Sequence, residues 1–176
     1  MAHQNKSNGP GQIGKGMIIL AWILGLGLLT YFFNSFLDRQ HNPNQQLVSR
    51  MSESGIPEVS LRRNRSDHYV ASGEINGQSV RFLLDTGASD VVIPENIAEH
   101  LGLRKGAPLS YQTANGMVTG YRTTLDSVVL GPLKLLGVPA SINPHFQSND
   151  ILLGMSVLKR LEFTQRGDTL TIKPLN

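Results

Sequence analysis

Apolar and polar positions fall into distinct regimes along the chain. Residues 1–16 are polar, rich in Gly and Asn, and charged only at Lys6 and Lys15. Met17 to Phe33 (MIILAWILGLGLLTYFF) then runs without a charge, and only Asn34 and Ser35 interrupt before Phe36 and Leu37. About 20 such residues, coiled as a helix, cross the ~30 Å hydrocarbon core of a bilayer. Trp22 and Tyr31 suit its interfaces. In a soluble domain a helix apolar on every face would need a larger protein around it. A cleaved signal peptide would carry a shorter apolar stretch followed by small residues, whereas Phe36, Leu37, Asp38 and Arg39 follow here. The reading is a single transmembrane anchor over residues 17–37. From Asp38 to Arg65 the pattern dissolves into Asn, Gln, Ser, Pro and Gly, with apolar residues isolated until Val59 and Leu61; residues 38–65 are expected to be a flexible tether.

Beyond Asp67, short apolar runs and turn signals alternate. Asn76-Gly77 separates Tyr69–Ile75 from Ser79–Leu84, Ala114-Asn115-Gly116 separates Leu109–Thr113 from Met117–Thr124, and Gly131-Pro132 separates Leu125–Leu130 from Leu133–Val138. Pro94 opens a short helix, Glu95–Leu101, and Gly102 closes it. Ile151-Leu152-Leu153-Gly154 leads into a second short helix, Met155–Leu161, and a last hairpin turns at Arg166-Gly167-Asp168. Many short strands with regular turns predict an all-β barrel or sandwich. The succession of hairpin, apolar strand and short helix occurs in both halves of this region.

Composition narrows the classes. The 176 residues are 40% hydrophobic and contain no Cys, which excludes a disulfide framework, thiolate metal sites and a Cys nucleophile. The net charge of +3 lies wholly upstream: from Arg65 onward ten basic residues balance ten acidic ones. A neutral domain has no electrostatic footprint for nucleic acid. His68, His100 and His145 lack metal-ligand spacing, and neither an H-E-x-x-H nor a G-x-S-x-G motif is present. No metal and no cofactor is expected.

The chemistry concentrates in Val80–Pro94, VRFLLDTGASDVVIP, where Asp85, Thr86 and Gly87 stand between two apolar strands. A carboxylate at the end of an apolar strand is costly unless its charge is held or its proton shared. Gly87 permits a tight turn and offers its N–H to that carboxylate. The D-T-G-A-S run, the Asn115-Gly116 hairpin and the later I-L-L-G with its short helix together resemble the retropepsins, the retroviral-type aspartic proteases. The phrasing LLGMSVLKRLEF is similar to their bacterial, membrane-anchored branch, and the resemblance covers about Val59 to Asn176.

The resemblance implies a closed retropepsin-like β-barrel with one short C-terminal helix, a protease domain over residues 66–176, and an aspartic endopeptidase acting on protein or peptide substrates. Hydrolysis by water needs a base for the water and an acid for the leaving nitrogen. Two carboxylates in contact do both, because they share one proton. The chain has one D-T-G, and Asp126, Asp150 and Asp168 are read as surface residues. The resemblance therefore implies a homodimer with one Asp85 from each chain. It further implies that Thr86, Gly87, Ala88 and Ser89 support the catalytic loop; Asp90 either meets substrate backbone or is a solvated turn residue. Tyr111 to Tyr121, with Tyr111, Asn115, Gly116 and Met117, would form a flap, the alternative being a plain exposed hairpin, and Ile151–Gly154 would pack beneath the loop. Lys6 and Lys15 before the span, with Asp38 beside Arg39 after it, place the N-terminus inside and the domain in the periplasm, on a single-pass inner-membrane anchor. The alternative is a non-catalytic, membrane-anchored β-barrel module that binds peptides or partner proteins.

Overall fold

A computed structural model describes residues 10–52, 55–113 and 116–175. Residues 1–9 of the polar tail, and Ala114 and Asn115 of the second hairpin, lie outside the described residues. The chain falls into two units, one ending at Arg39 and one beginning at Gln40. Helix α1 (Pro10–His41) is longer than expected. Its stretch from Gly14 to His41 is apolar and long enough to cross a bilayer, and its apolar window is unburied. Those properties fit a membrane span or a signal sequence.

The second unit is mostly β. Strands β3 (Val70–Ile75), β4 (Gln78–Leu84), β5 (Val91–Pro94), β6 (Pro108–Thr113), β7 (Gly116–Leu130), β8 (Leu133–Asn143) and β9 (Ile151–Leu153) form one sheet in the order β3-β4-β9-β5-β8-β7-β6. A further pairing of β3 with β7, through Glu74↔Val129 and Ile75↔Val128, closes this sheet into a barrel and leaves β6 outside the ring on β7. Closure removes most open edges and encloses a core of Ile75, Phe82, Ile93, Leu125, Ile142, Ile151 and Leu153. Asn76 and Gly77 both take positive φ (51° and 79°), the conformation the Asn-Gly hairpin demands. Short helices follow β5 and β9: α2 (Glu95–His100) and α3 (Met155–Leu158). Strand β7 runs unbroken through Thr124-Leu125, where the sequence pattern suggested two strands; no Gly or Pro stands there to end the ladder.

The described residues of the expected tether over residues 38–65 include regular strands. β1 (Val48–Met51) and β2 (Pro57–Arg62) lie within it and join β10 (Leu161–Arg166) and β11 (Thr169–Pro174) in a second sheet, ordered β1-β2-β11-β10. Val59 and Leu61 are fully buried and face Ile172 and Leu170 across the β2–β11 ladder. The stretch before β1 is held by buried asparagines. Asn44 donates to the carbonyls of Arg62 (2.9 Å) and Val70 (2.7 Å) and accepts from Arg62 N–H (2.7 Å). Asn42 donates to Ser72 Oγ (2.9 Å) and accepts from Asn44 N–H (3.0 Å). Polar composition was read as solvation, yet these amides satisfy buried backbone groups that no strand ladder serves.

Asp150 is a second correction. Asp126 and Asp168 are exposed, but Asp150 is only 6% exposed. Its carboxylate takes Arg81 Nε on one oxygen and His41 Nε2, at 2.6 Å, on the other. Both partners are remote in sequence, so no local pattern announces the burial.

Candidate active site

The loop Asp85–Asp90 is set by the elements on either side of it. Phe82 anchors β4 in the core, and β4 pairs in parallel with β9 through Phe82↔Ile151, Leu83↔Leu152 and Leu84↔Leu153. Asp85 N–H still donates to Leu153 O (3.2 Å), so the backbone is held where the strand ends and the side chain emerges half-buried. Gly87 N–H donates to Asp85 Oδ1 at 2.8 Å, and Ala88 N–H to Asp85 O at 3.3 Å. Gly87 N–H thus holds the carboxylate's rotamer, and Ala88 N–H closes the turn on the backbone. A Cβ at Gly87 would stand 3.1 Å from Oδ1, so a side chain there would crowd that bond.

Beneath the loop lies the turn from β9 into α3. A Cβ at Gly154 would overlap the carbonyl oxygens of Ala88 and Asp90, which makes glycine obligatory by space alone. Met155 N–H donates to Ala88 O at 2.8 Å. The expectation that Ile151–Gly154 packs under the D-T-G loop therefore holds.

Above the loop is a cleft of about 730 Å³. Asp85, Gly87, Ala88, Ser89 and Asp90 line its floor, and Tyr111 lines its wall. Thr86 is exposed and does not line it. Gly116 and Met117 do not line it either, Met117 being 68% exposed, and Asn115 lies outside the described residues. Sequence reasoning missed Leu109 and Val118, which share the wall with Tyr111. Their signal was present: Leu109 and Tyr111 alternate on one face, and Val118 is the cross-strand partner of Tyr111. His145 and Phe146 also border the cleft, from the loop after β8, and carried no local signal.

Tyr111 is the perturbed group of this site. Its hydroxyl is buried with no hydrogen-bond partner of good geometry. Burial pushes the phenol pKa up, and the Ser141 hydroxyl nearby works weakly against that shift. Gly120 makes room for the ring: a Cβ there would stand 3.1 Å from it.

Comparisons with known proteins bear on the family and the fold. Residues 71–160 match the family model described as "gag-polyprotein putative aspartyl protease". The chain is 31% identical over 136 residues to an uncharacterized protein from the cobV 5′ region of Sinorhizobium sp, covering 74% of this chain and 58% of that protein. It is 30% identical over 113 residues to an uncharacterized protein of Rickettsia prowazekii (strain Madrid E), covering 61% of this chain and 47% of that one. The chain thus spans about half the length of the curated relatives it matches. Among solved structures it is similar to a retropepsin-like aspartic protease from Rickettsia conorii, with a TM-score of 0.56 and 26% identity over 73% of this chain and 95% of that one.

Proposed function

The chain belongs to the gag-type aspartyl protease family and has a retropepsin-like fold, and from that premise we propose that it is a membrane-anchored, homodimeric aspartic endopeptidase. The observation that carries the reading is Asp85 itself: a half-buried carboxylate, oriented by Gly87 N–H, on the floor of a cleft large enough for peptide side chains. Peptide hydrolysis by water requires two such carboxylates sharing a proton, one to draw a proton from water and one to protonate the departing nitrogen. One chain holds one D-T-G, so the second Asp85 comes from a second copy related by a two-fold axis. Thr86, exposed and outside the lining of the single-chain cleft, ties the two loops together. The β6–β7 hairpin closes over the peptide, with Tyr111 on its inner face. The carboxylate pair and a water suffice for this chemistry.

Helix α1 supplies the anchor, with residues 17–37 in the bilayer. The lysines before it favour an N-terminus inside and a protease domain in the periplasm.

Asp85→Asn tests the reading. Asn keeps an oxygen that accepts from Gly87 N–H, so the fold should persist. Peptide cleavage should fall by at least about 10³-fold, because the variant pair cannot exchange the shared proton. A folded variant that cleaves at the wild-type rate would refute the mechanism. Peptide binding without cleavage by the wild-type chain would instead favour a non-catalytic module.

A further inference from the structure

α3 spans only Met155–Leu158, yet its first residues end on the loop that carries Asp85. Ser156 is the more telling of them, being 4% exposed. A capping hydroxyl belongs at the N-cap, just before the first helical residue, and that place is held by Gly154. Here no side chain caps α3. The Ser156 hydroxyl instead accepts from Val91 N–H (3.1 Å) and donates to Pro139 O of β8 (3.0 Å), while Ser156 N–H donates to Ser89 O (2.9 Å).

These bonds straddle Asp90. One residue grips the loop at Ser89 and again at Val91, and couples both points to β8. The grip reaches Asp85 through a short path: Met155 N–H holds Ala88 O, and Ala88 N–H holds Asp85 O. Ser156 does not line the cleft and has no route to a substrate. We propose that Ser156 is a positioning residue, whose hydroxyl fixes the downstream limb of the catalytic loop and thereby the aim of the Asp85 carboxylate. This rests on the protease reading above for its kinetic consequence, but not for its structural one. Without the hydroxyl, Val91 N–H is left buried and unpaired, so the limb must shift to find a partner.

The test compares Ser156→Ala and Ser156→Thr with wild type in the full chain, in vesicles, with folding checked by circular dichroism. Threonine keeps the hydroxyl; alanine removes it. For Ser156→Ala, kcat should fall by about 10- to 100-fold, the size of effect a misplacement of roughly an ångström produces. KM should stay within about twofold, since no substrate contact is lost. Ser156→Thr should retain most of the wild-type kcat. Hydrogen exchange at the Val91 and Gly87 amides should quicken in the alanine variant alone. Full kcat per folded molecule in Ser156→Ala, a change confined to KM, equal losses in both variants, or unchanged exchange at Gly87 would each overturn the proposal. Absence of cleavage by wild type would sink the protease reading instead, and exchange at Val91 and Gly87 would still decide the role of Ser156.

Discussion

Tyr111 shows how much one atom can say about a site. A buried hydroxyl without a partner costs about 1–3 kcal/mol, and such atoms in native proteins call for an explanation. Here the ring lines the cleft beside Asp85 while its hydroxyl is turned out of solvent against Gly120, so the packing that seats the ring is what leaves the hydroxyl dry. The raised phenol pKa has a definite sign: the folded state holds the proton more tightly than the unfolded one, so the contribution is complete below the unfolded value of about 10 and is lost as pH rises past it. Tyr111→Phe should therefore leave stability at pH 7 unchanged or raise it by up to about 1 kcal/mol. It should also weaken the alkaline loss and leave KM for peptide within about twofold, because the ring that lines the cleft is kept. Denaturant melts at neutral and alkaline pH, with steady-state kinetics, check all three. A marked loss of stability at pH 7 would mean that the hydroxyl is already satisfied. At this scale the motif residues were legible because D-T-G places carboxylate, hydroxyl and amide within one turn. Asp150 was not, because the partners that let it be buried, Arg81 and His41, come from distant points in the chain.

Among elements, β2 alters the picture most. The alternation of Val59 and Leu61 was visible, but a period-2 pattern of two residues is too short to outweigh the Asn, Gln, Ser and Pro around it. Both side chains are fully buried, and each contributes about 1.5–3 kcal/mol relative to exposure. Their sum, with the β2–β11 ladder, rivals the whole stability of about 5–15 kcal/mol expected of a domain this size. A fragment beginning at Asp67 should therefore fail to fold cooperatively, whereas one beginning at Gln40 keeps β2 and the asparagine contacts and should fold. Thermal melts of the two fragments decide it: a sharp, two-state transition in the shorter one would show β2 to be dispensable. The hairpins were read correctly for the opposite reason. Asn76-Gly77 and Gly131 supply positive φ locally, and a turn so specified needs no distant partner.

For the whole molecule, the proposed shared site makes activity a matter of concentration. A dimer with its dyad at the interface loses cleavage on dissociation, so specific activity should fall on dilution. Confinement to one membrane, by the anchor proposed over residues 17–37, would raise the local concentration of protomers, much as a linker does. The fragment from Gln40 is thus expected to be less active per chain than the anchored form at equal bulk concentration. Cleavage across a dilution series, beside sedimentation, measures this. Constant specific activity at concentrations where only monomer sediments would exclude a site built from two chains.

What the sequence determined by itself was the local chemistry: an apolar run long enough for a bilayer, hairpins marked by Asn-Gly and Gly-Pro, and the D-T-G turn with its I-L-L-G counterpart. Each rests on backbone or side-chain properties expressed within a few residues. The tertiary structure alone decided what depends on distant partners. It closed the barrel through β3 and β7, drew β2 out of an apparent tether, and buried Asp150 on Arg81 and His41. It also seated Ser156 between Val91 and Pro139, and brought His145 and Phe146 to the cleft that Tyr111 lines. The reason is physical: whether a polar group is solvated or buried is set by the atoms that fold around it, and those are recorded elsewhere in the chain.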